Sequence, residues 1–113
     1  MTRIQERYGN IPIFITENGL GDKDQIAENG EILDFPRIEY LSRHLRECKR
    51  AIQDGINLAG YFAWSFIDLL SWLNGYQKQY GFVYVDREKG LERRKKQSYF
   101  WYRKLIRTHG EEL

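Results

Sequence analysis

Glu17 and Asn18, followed by Gly19, stand directly after the run Ile11-Pro12-Ile13-Phe14-Ile15-Thr16. That run reads as a short, fully buried strand. A carboxylate placed where a buried strand emerges is held rigidly and partly desolvated, as a catalytic group needs to be. In parallel α/β folds this is also the end of the strands where active sites lie. The competing reading of the segment is a strand whose last polar residues open an ordinary surface turn.

The elements that must position this carboxylate follow from patterning. Residues 1–9 resemble the end of a helix stopped by Gly9-Asn10. Residues 19–35 are rich in Gly, Asp and Asn and read as a loop. Asp34 can cap a helix with Pro36 in its first turn, and Ile38, Leu41, Leu45, Cys48 and Ile52 form one apolar stripe down to the stop at Gly55. Leu58 to Ser65 reads as a second buried strand, so strand, helix and strand form a parallel pair with a right-handed crossover. Residues 66–80 form a long irregular loop, Gly81 to Asp86 a short strand, and Ser98 caps a last helix reaching Gly110. Two such strands close no sheet, and the helices are too few to cover both faces. The chain therefore reads as a piece of a larger α/β protein.

Composition narrows the function classes. In 113 residues, 42% are hydrophobic and 15% aromatic, which is globular and favours a large core, an interface or a sugar-binding cleft. A net charge of +2 implies no bulk electrostatic partner. Cys48 stands alone, so neither a disulfide framework nor a cysteine zinc site is expected, and a reducing compartment fits. No apolar run approaches the roughly 18 residues of a membrane span. The N-terminus lacks the apolar core of a signal peptide, so a cytoplasmic protein is expected. Arg93-Arg94-Lys95-Lys96, near Tyr99, Phe100 and Trp101, has the ingredients of a nucleic-acid patch. Nearby Glu88, Glu92, Glu111 and Glu112 dilute it, and the segment reads instead as a solvated loop leading into the last helix. His44 and His109 read as structural or exposed, not as metal ligands.

Four ordered blocks carry a resemblance: Ile15-Thr16-Glu17-Asn18-Gly19, Gly60-Tyr61-Phe62-Ala63-Trp64-Ser65, Tyr80-Gly81-Phe82-Val83-Tyr84-Val85-Asp86, and Arg93, Lys96, Ser98 with Trp101-Tyr102. Together they are similar to the family 1 glycoside hydrolases, retaining β-glycosidases on a (β/α)₈ barrel. The likeness runs from about residue 8 to about residue 107 and corresponds to the last two βα units, roughly the final quarter of such an enzyme. It implies an α/β fold with residues 1–113 as a C-terminal barrel fragment. Within it lie a nucleophile strand 11–17, a strand 58–65 and a phosphate-site loop 66–80.

The resemblance implies that Glu17 is the catalytic nucleophile, forming a glycosyl-enzyme ester with the anomeric carbon. A second carboxyl group about 5 Å away must protonate the leaving oxygen. In the family it sits in an Asn-Glu-Pro motif, which does not occur in this chain. Glu28, Glu31 and Glu39 read as solvated charges. The chain alone is therefore expected to be inactive, and no metal or organic cofactor is called for.

Where ordinary β-glucosidases of the family carry a Glu that binds sugar hydroxyls, this chain has Ser71, followed by Lys78 and Tyr80. That pattern resembles the branch hydrolysing 6-phospho-β-glycosides. A Glu there would repel a phosphate dianion by about 1 to 4 kcal/mol per charge pair at 4 Å. Serine removes that charge, and Ser71, Lys78 and Tyr80 together offer three donors. By the same resemblance Trp72 leans toward galactose over glucose, although ordinary β-glucosidases also carry Trp there. Trp64 is the implied stacking platform for the sugar, or else a core tryptophan, and Asn18 helps hold the nucleophile or a hydroxyl. The implied partner is a phosphorylated disaccharide or β-glycoside. Neither nucleic acid nor membrane is expected. Uncovered strands make self-association a second reading, in which the chain is a non-catalytic remnant of such an enzyme or a truncated reading frame.

Overall fold

A parallel pair of strands forms the centre of the structure, a computed structural model that describes all 113 residues. The chain enters it through helix α1 (Thr2–Tyr8), which ends at Gly9. The φ of 79° there is left-handed and open to glycine without strain. Strand β1 (Ile13–Asn18) lies beside β2 (Leu58–Ala63), with Ile13 opposite Leu58 and Asn18 opposite Ala63. The strands expected over 11–17 and 58–65 are thus shorter and slightly shifted. The register slips between Ile15 and Asn18, an irregularity of the kind that re-aims side chains at functional strand ends, and Glu17 lies within it.

Helix α2 (Phe35–Gln53) makes the crossover. Leu41 and Cys48 of its stripe are buried and Ile38 and Leu45 half-buried, whereas Ile52 stays uncovered. Strand β3 (Val83–Asp86) then turns back on β4 (Glu92–Lys95) as an antiparallel hairpin, and α3 (Gln97–Arg107) follows. The stretch read as a solvated basic loop is therefore mostly an edge strand. Its run of charges hides the strand period, and Arg93 and Lys95 point to solvent as edge-strand charges commonly do. Phe82 stacks on Tyr102 of α3 at 4.7 Å between ring centroids and joins the small core of Ile32, Leu41, Ile56 and Val83.

The strands expected to be buried on both faces are not. Phe14 and Phe62 are more than half exposed, because α2 and α3 cover only part of the pair. The capping pattern also differs from expectation. Asp34 makes no side-chain cap on α2. Its carboxylate accepts the Ser98 backbone N–H at 2.9 Å and the Ser98 hydroxyl, and so satisfies a donor in the first turn of α3, a helix that begins one residue before Ser98.

Asp34 belongs to a buried cluster of five charges that ties the loops to the helices. Arg37 donates to both Asp24 oxygens at 3.1 and 3.0 Å and pairs with Asp34. Its remaining donors reach the Leu20 and Gln79 carbonyls. Lys96, with 0% side-chain exposure, bridges Asp24 and Asp68 at 2.6 Å each. Asp68 also accepts the Gly81 N–H at 2.9 Å and the Val85 N–H at 3.3 Å. Burial works to lower the Arg37 pKa, but the Asp24 and Asp34 carboxylates outweigh it and hold the guanidinium above its ordinary value. No buried side-chain polar atom lacks a partner.

Candidate active site

Two glycines let the site assemble. A Cβ on Gly19 would come within 1.6 Å of the Trp64 carbonyl oxygen, so only glycine allows the end of β1 to lie against the residues leaving β2. A Cβ on Gly21 would collide with the Tyr80 ring at 2.5 Å. These close approaches bring Glu17, Trp64 and Tyr80 to the same end of the strand pair.

The loop of residues 66–80 is fastened at both ends by the charge cluster. Asp68 anchors its entry, and its exit is held by Arg37 on the Gln79 carbonyl and by paired backbone bonds between Asp22 and Gln79. Between these points Ser71 and Gly75 exchange backbone hydrogen bonds, with Gly75 at a φ of 59°. The Ser71 hydroxyl accepts the Leu73 and Asn74 N–H groups, and Asn74 Nδ2 donates to the Tyr80 hydroxyl at 2.6 Å.

The result is an open cleft of ≈ 410 Å³ lined by Glu17, Trp64, Leu69 to Leu73 and Tyr80. It brings together five of the seven residues expected at the site: Glu17, Trp64, Ser71, Trp72 and Tyr80. Glu17 is exposed and is the one carboxylate in the lining. Trp72 is fully exposed, at 101%, with no opposing wall. Lys78 does not line this cleft. It borders a separate hollow with Tyr76 and Arg87, whose guanidinium lies 3.8 Å over the Tyr76 ring.

Asn18 is also absent from the lining, and its amide is already engaged. Tyr61 donates its hydroxyl to Asn18 Oδ1 at 2.6 Å, and Asn18 Nδ2 donates to the Tyr40 hydroxyl at 3.2 Å. The side chain after Glu17 is therefore gripped from β2 and from α2 at once. Burial pushes the Tyr61 phenol well up, which keeps its proton available to Asn18.

Sequence reasoning missed the residues that hold this geometry: Arg37, Asp68, Lys96, Gln79, Tyr40 and Tyr61. Two signals were present. Arg37 occupies a place on the apolar stripe four residues before Leu41, and Asp68 interrupts the apolar stretch Phe66 to Leu70. A charge at an apolar position is a candidate for a buried pair.

Comparison with known proteins agrees with this architecture. The sequence model of glycosyl hydrolase family 1 matches residues 1–111. The chain is 55% identical to the aryl-phospho-β-D-glucosidase BglC of Bacillus subtilis (strain 168), covering 100% of the chain and 24% of that protein. It is 48% identical to the 6-phospho-β-glucosidase AscB of Escherichia coli (strain K12), covering 100% of the chain and 25% of that protein. Its structure superposes on a family 1 β-glucosidase from Thermotoga maritima in complex with isofagomine lactam with a TM-score of 0.91. The identity there is 38%, over 96% of this chain and 25% of that one. The chain thus spans about a quarter of the length of the relatives it matches. The parallel pair with its crossover helix is a fragment of a (β/α)₈ barrel, and the polypeptide belongs to glycosyl hydrolase family 1.

Proposed function

We propose that this chain is the nucleophile-bearing part of a retaining β-glycosidase acting on 6-phospho-β-glucosides. The observation that carries the reading is the single cleft that gathers Glu17 with Trp64, Ser71, Trp72 and Tyr80. The Glu17 carboxylate attacks the anomeric carbon as the glycosidic C–O bond breaks, and a carboxylic acid outside these residues protonates the leaving oxygen. Water then displaces Glu17 from the ester, and the same outside group takes the water's proton. Trp64 and Trp72 offer faces for the sugar, while Ser71 and Tyr80 supply neutral donors toward its phosphate. Lys78 reaches the phosphate only if its exposed side chain turns toward the cleft, and it is the weaker member of that set. The phospho-β-glucosidase names of the relatives favour glucose over the galactose to which Trp72 leans. A polypeptide of these 113 residues alone lacks the acid and half the cleft, and it turns over no glycoside.

The test is covalent. The chain replaces the matching quarter of the Bacillus subtilis relative, and kcat/KM is measured on p-nitrophenyl 6-phospho-β-glucoside and on its unphosphorylated analogue. Glu17→Gln is expected to lower turnover of both by about 10³-fold or more. Ser71→Glu is expected to lower only the phosphorylated rate, by about 10- to 10³-fold, the scale of one close charge repulsion. Equal losses on both substrates for Ser71→Glu would remove the phosphate reading.

A further inference from the structure

Lys78, the one cation of the loop 66–80, is exposed and stays outside the cleft. Recognition of a phosphate in the cleft therefore falls on two neutral hydroxyls, those of Ser71 and Tyr80. A hydroxyl both donates and accepts, and the direction of its proton decides which it offers to a ligand.

The loop settles that direction from behind. Ser71 and Gly75 exchange backbone bonds at 2.9 and 2.8 Å and close a tight turn over the three residues between them. The Ser71 oxygen accepts the Leu73 N–H at 3.3 Å and the Asn74 N–H at 3.2 Å. The same turn carries the Asn74 side chain back to Tyr80, where Nδ2 donates to the phenol oxygen at 2.6 Å. An amide nitrogen only donates, so the Tyr80 oxygen is the acceptor and its own proton turns away from Asn74. The rest of Tyr80 is held as well. Its carbonyl accepts the Ser65 N–H at 3.0 Å, and its ring lies 2.5 Å from where a Cβ on Gly21 would stand.

Both oxygens are thus occupied by N–H groups of the loop, and both protons are left for a ligand. Two such hydroxyls suit a group that only accepts. The oxygens of a phosphate monoester dianion are strong acceptors. A sugar hydroxyl brings a proton of its own and finds fewer lone pairs to receive it.

We propose that Asn74 is a specificity-determining positioning residue: it makes the Tyr80 hydroxyl a donor and so selects an anionic group on the sugar over a hydroxyl. Asn74 lines no part of the cleft and acts through Tyr80. This role rests on the phosphate reading of the cleft given above.

The test is a double-mutant cycle in the full-length chimera with the Bacillus subtilis relative. The readout is the ratio of kcat/KM on p-nitrophenyl 6-phospho-β-glucoside to that on its unphosphorylated analogue. A ratio taken on one preparation is independent of how much of it folds. Tyr80→Phe is expected to lower the ratio about 10- to 100-fold, and Asn74→Ala about 3- to 10-fold. Asn74→Asp is expected to lower it further than Asn74→Ala, because a carboxylate only accepts and draws the Tyr80 proton inward. In the Tyr80→Phe background, Asn74→Ala is expected to change the ratio less than about twofold. Asn74→Asp keeps only its charge repulsion there, so its coupling to Tyr80 exceeds that of Asn74→Ala. A ratio that rises in Asn74→Ala, the sign expected if Tyr80 gave its proton to Asn74, overturns the proposal. So does a loss undiminished in the Tyr80→Phe background, which would mark a general loosening of the loop. An Asn74→Asp enzyme with the parent ratio overturns it too, since a tether of either polarity would then suffice. A ratio that falls in Tyr80→Phe but not in Asn74→Ala removes the role of Asn74 alone. Equal losses on both substrates in Tyr80→Phe remove the phosphate reading and this role with it.

Discussion

Asn18 shows how a single side chain fixes the residue beside it. Its oxygen accepts from Tyr61 and its nitrogen donates to Tyr40, so neither end is free to turn. The two tyrosines reach it from β2 and α2, and Glu17 inherits a backbone held on both sides. Tyr61→Phe removes the 2.6 Å bond and leaves a half-buried acceptor unpaired. The expected loss is about 1–3 kcal/mol. Tyr40→Phe breaks a longer bond and is expected to lose about 0.5–1.5 kcal/mol. Urea midpoints of the two variants check the order, and a Tyr61→Phe chain as stable as the parent would show that the grip is incidental.

Among the elements, the buried charge cluster outweighs every surface pair. Lys96→Met leaves Asp24 and Asp68 without their shared cation inside the fold. The expected loss is about 3–5 kcal/mol, the range for a broken buried pair. Arg43→Ala removes an exposed partner of Glu39 on α2 and is expected to change stability by less than about 0.5 kcal/mol. Thermal or urea unfolding of both variants separates the cases, and similar losses would contradict the weight given to burial. This cluster also marks the limit of what the sequence made legible. The parallel pair and the crossover helix follow from apolar periodicity, and Glu17 stands out at the end of its strand, all local signals, whereas Trp64, Ser71, Trp72 and Tyr80 are implied only by the resemblance to family 1. The bond from Asp34 to Ser98 spans 64 positions, and a capping residue looks the same whichever helix it serves. The strand β4 was hidden by its own charges, and Lys96, next after it, reads as one more solvated lysine until Asp24 and Asp68 close over it.

For the molecule as a whole, alkaline pH is the sensitive direction. Burial pushes the Cys48 thiol and the Tyr61 and Tyr102 phenols above their ordinary values, with Glu47 adding to the effect at Cys48. Each group keeps its proton in the folded chain at pH values where the unfolded chain has released it. Their contribution is whole below the unfolded values, about 8.5 for Cys and 10 for Tyr. It is lost as pH rises toward the folded ones, by up to about 1.4 kcal/mol per pH unit for each group. The urea midpoint is expected to hold steady from about pH 7 to 8 and to fall above about pH 9. Absorbance of tyrosinate should rise together with unfolding, and a midpoint unchanged to about pH 11 would sink the account. The charge cluster has one more consequence, which concerns inheritance. Asp24, Asp34, Arg37, Asp68 and Lys96 are drawn from separate stretches of chain yet satisfy one another. Recombination with a relative that arranges these charges differently strands buried charge in both offspring if the junction falls between residues 24 and 96. A junction upstream of that span leaves the set whole. This part of the barrel can therefore be exchanged between genes as a block, but it resists being spliced from within.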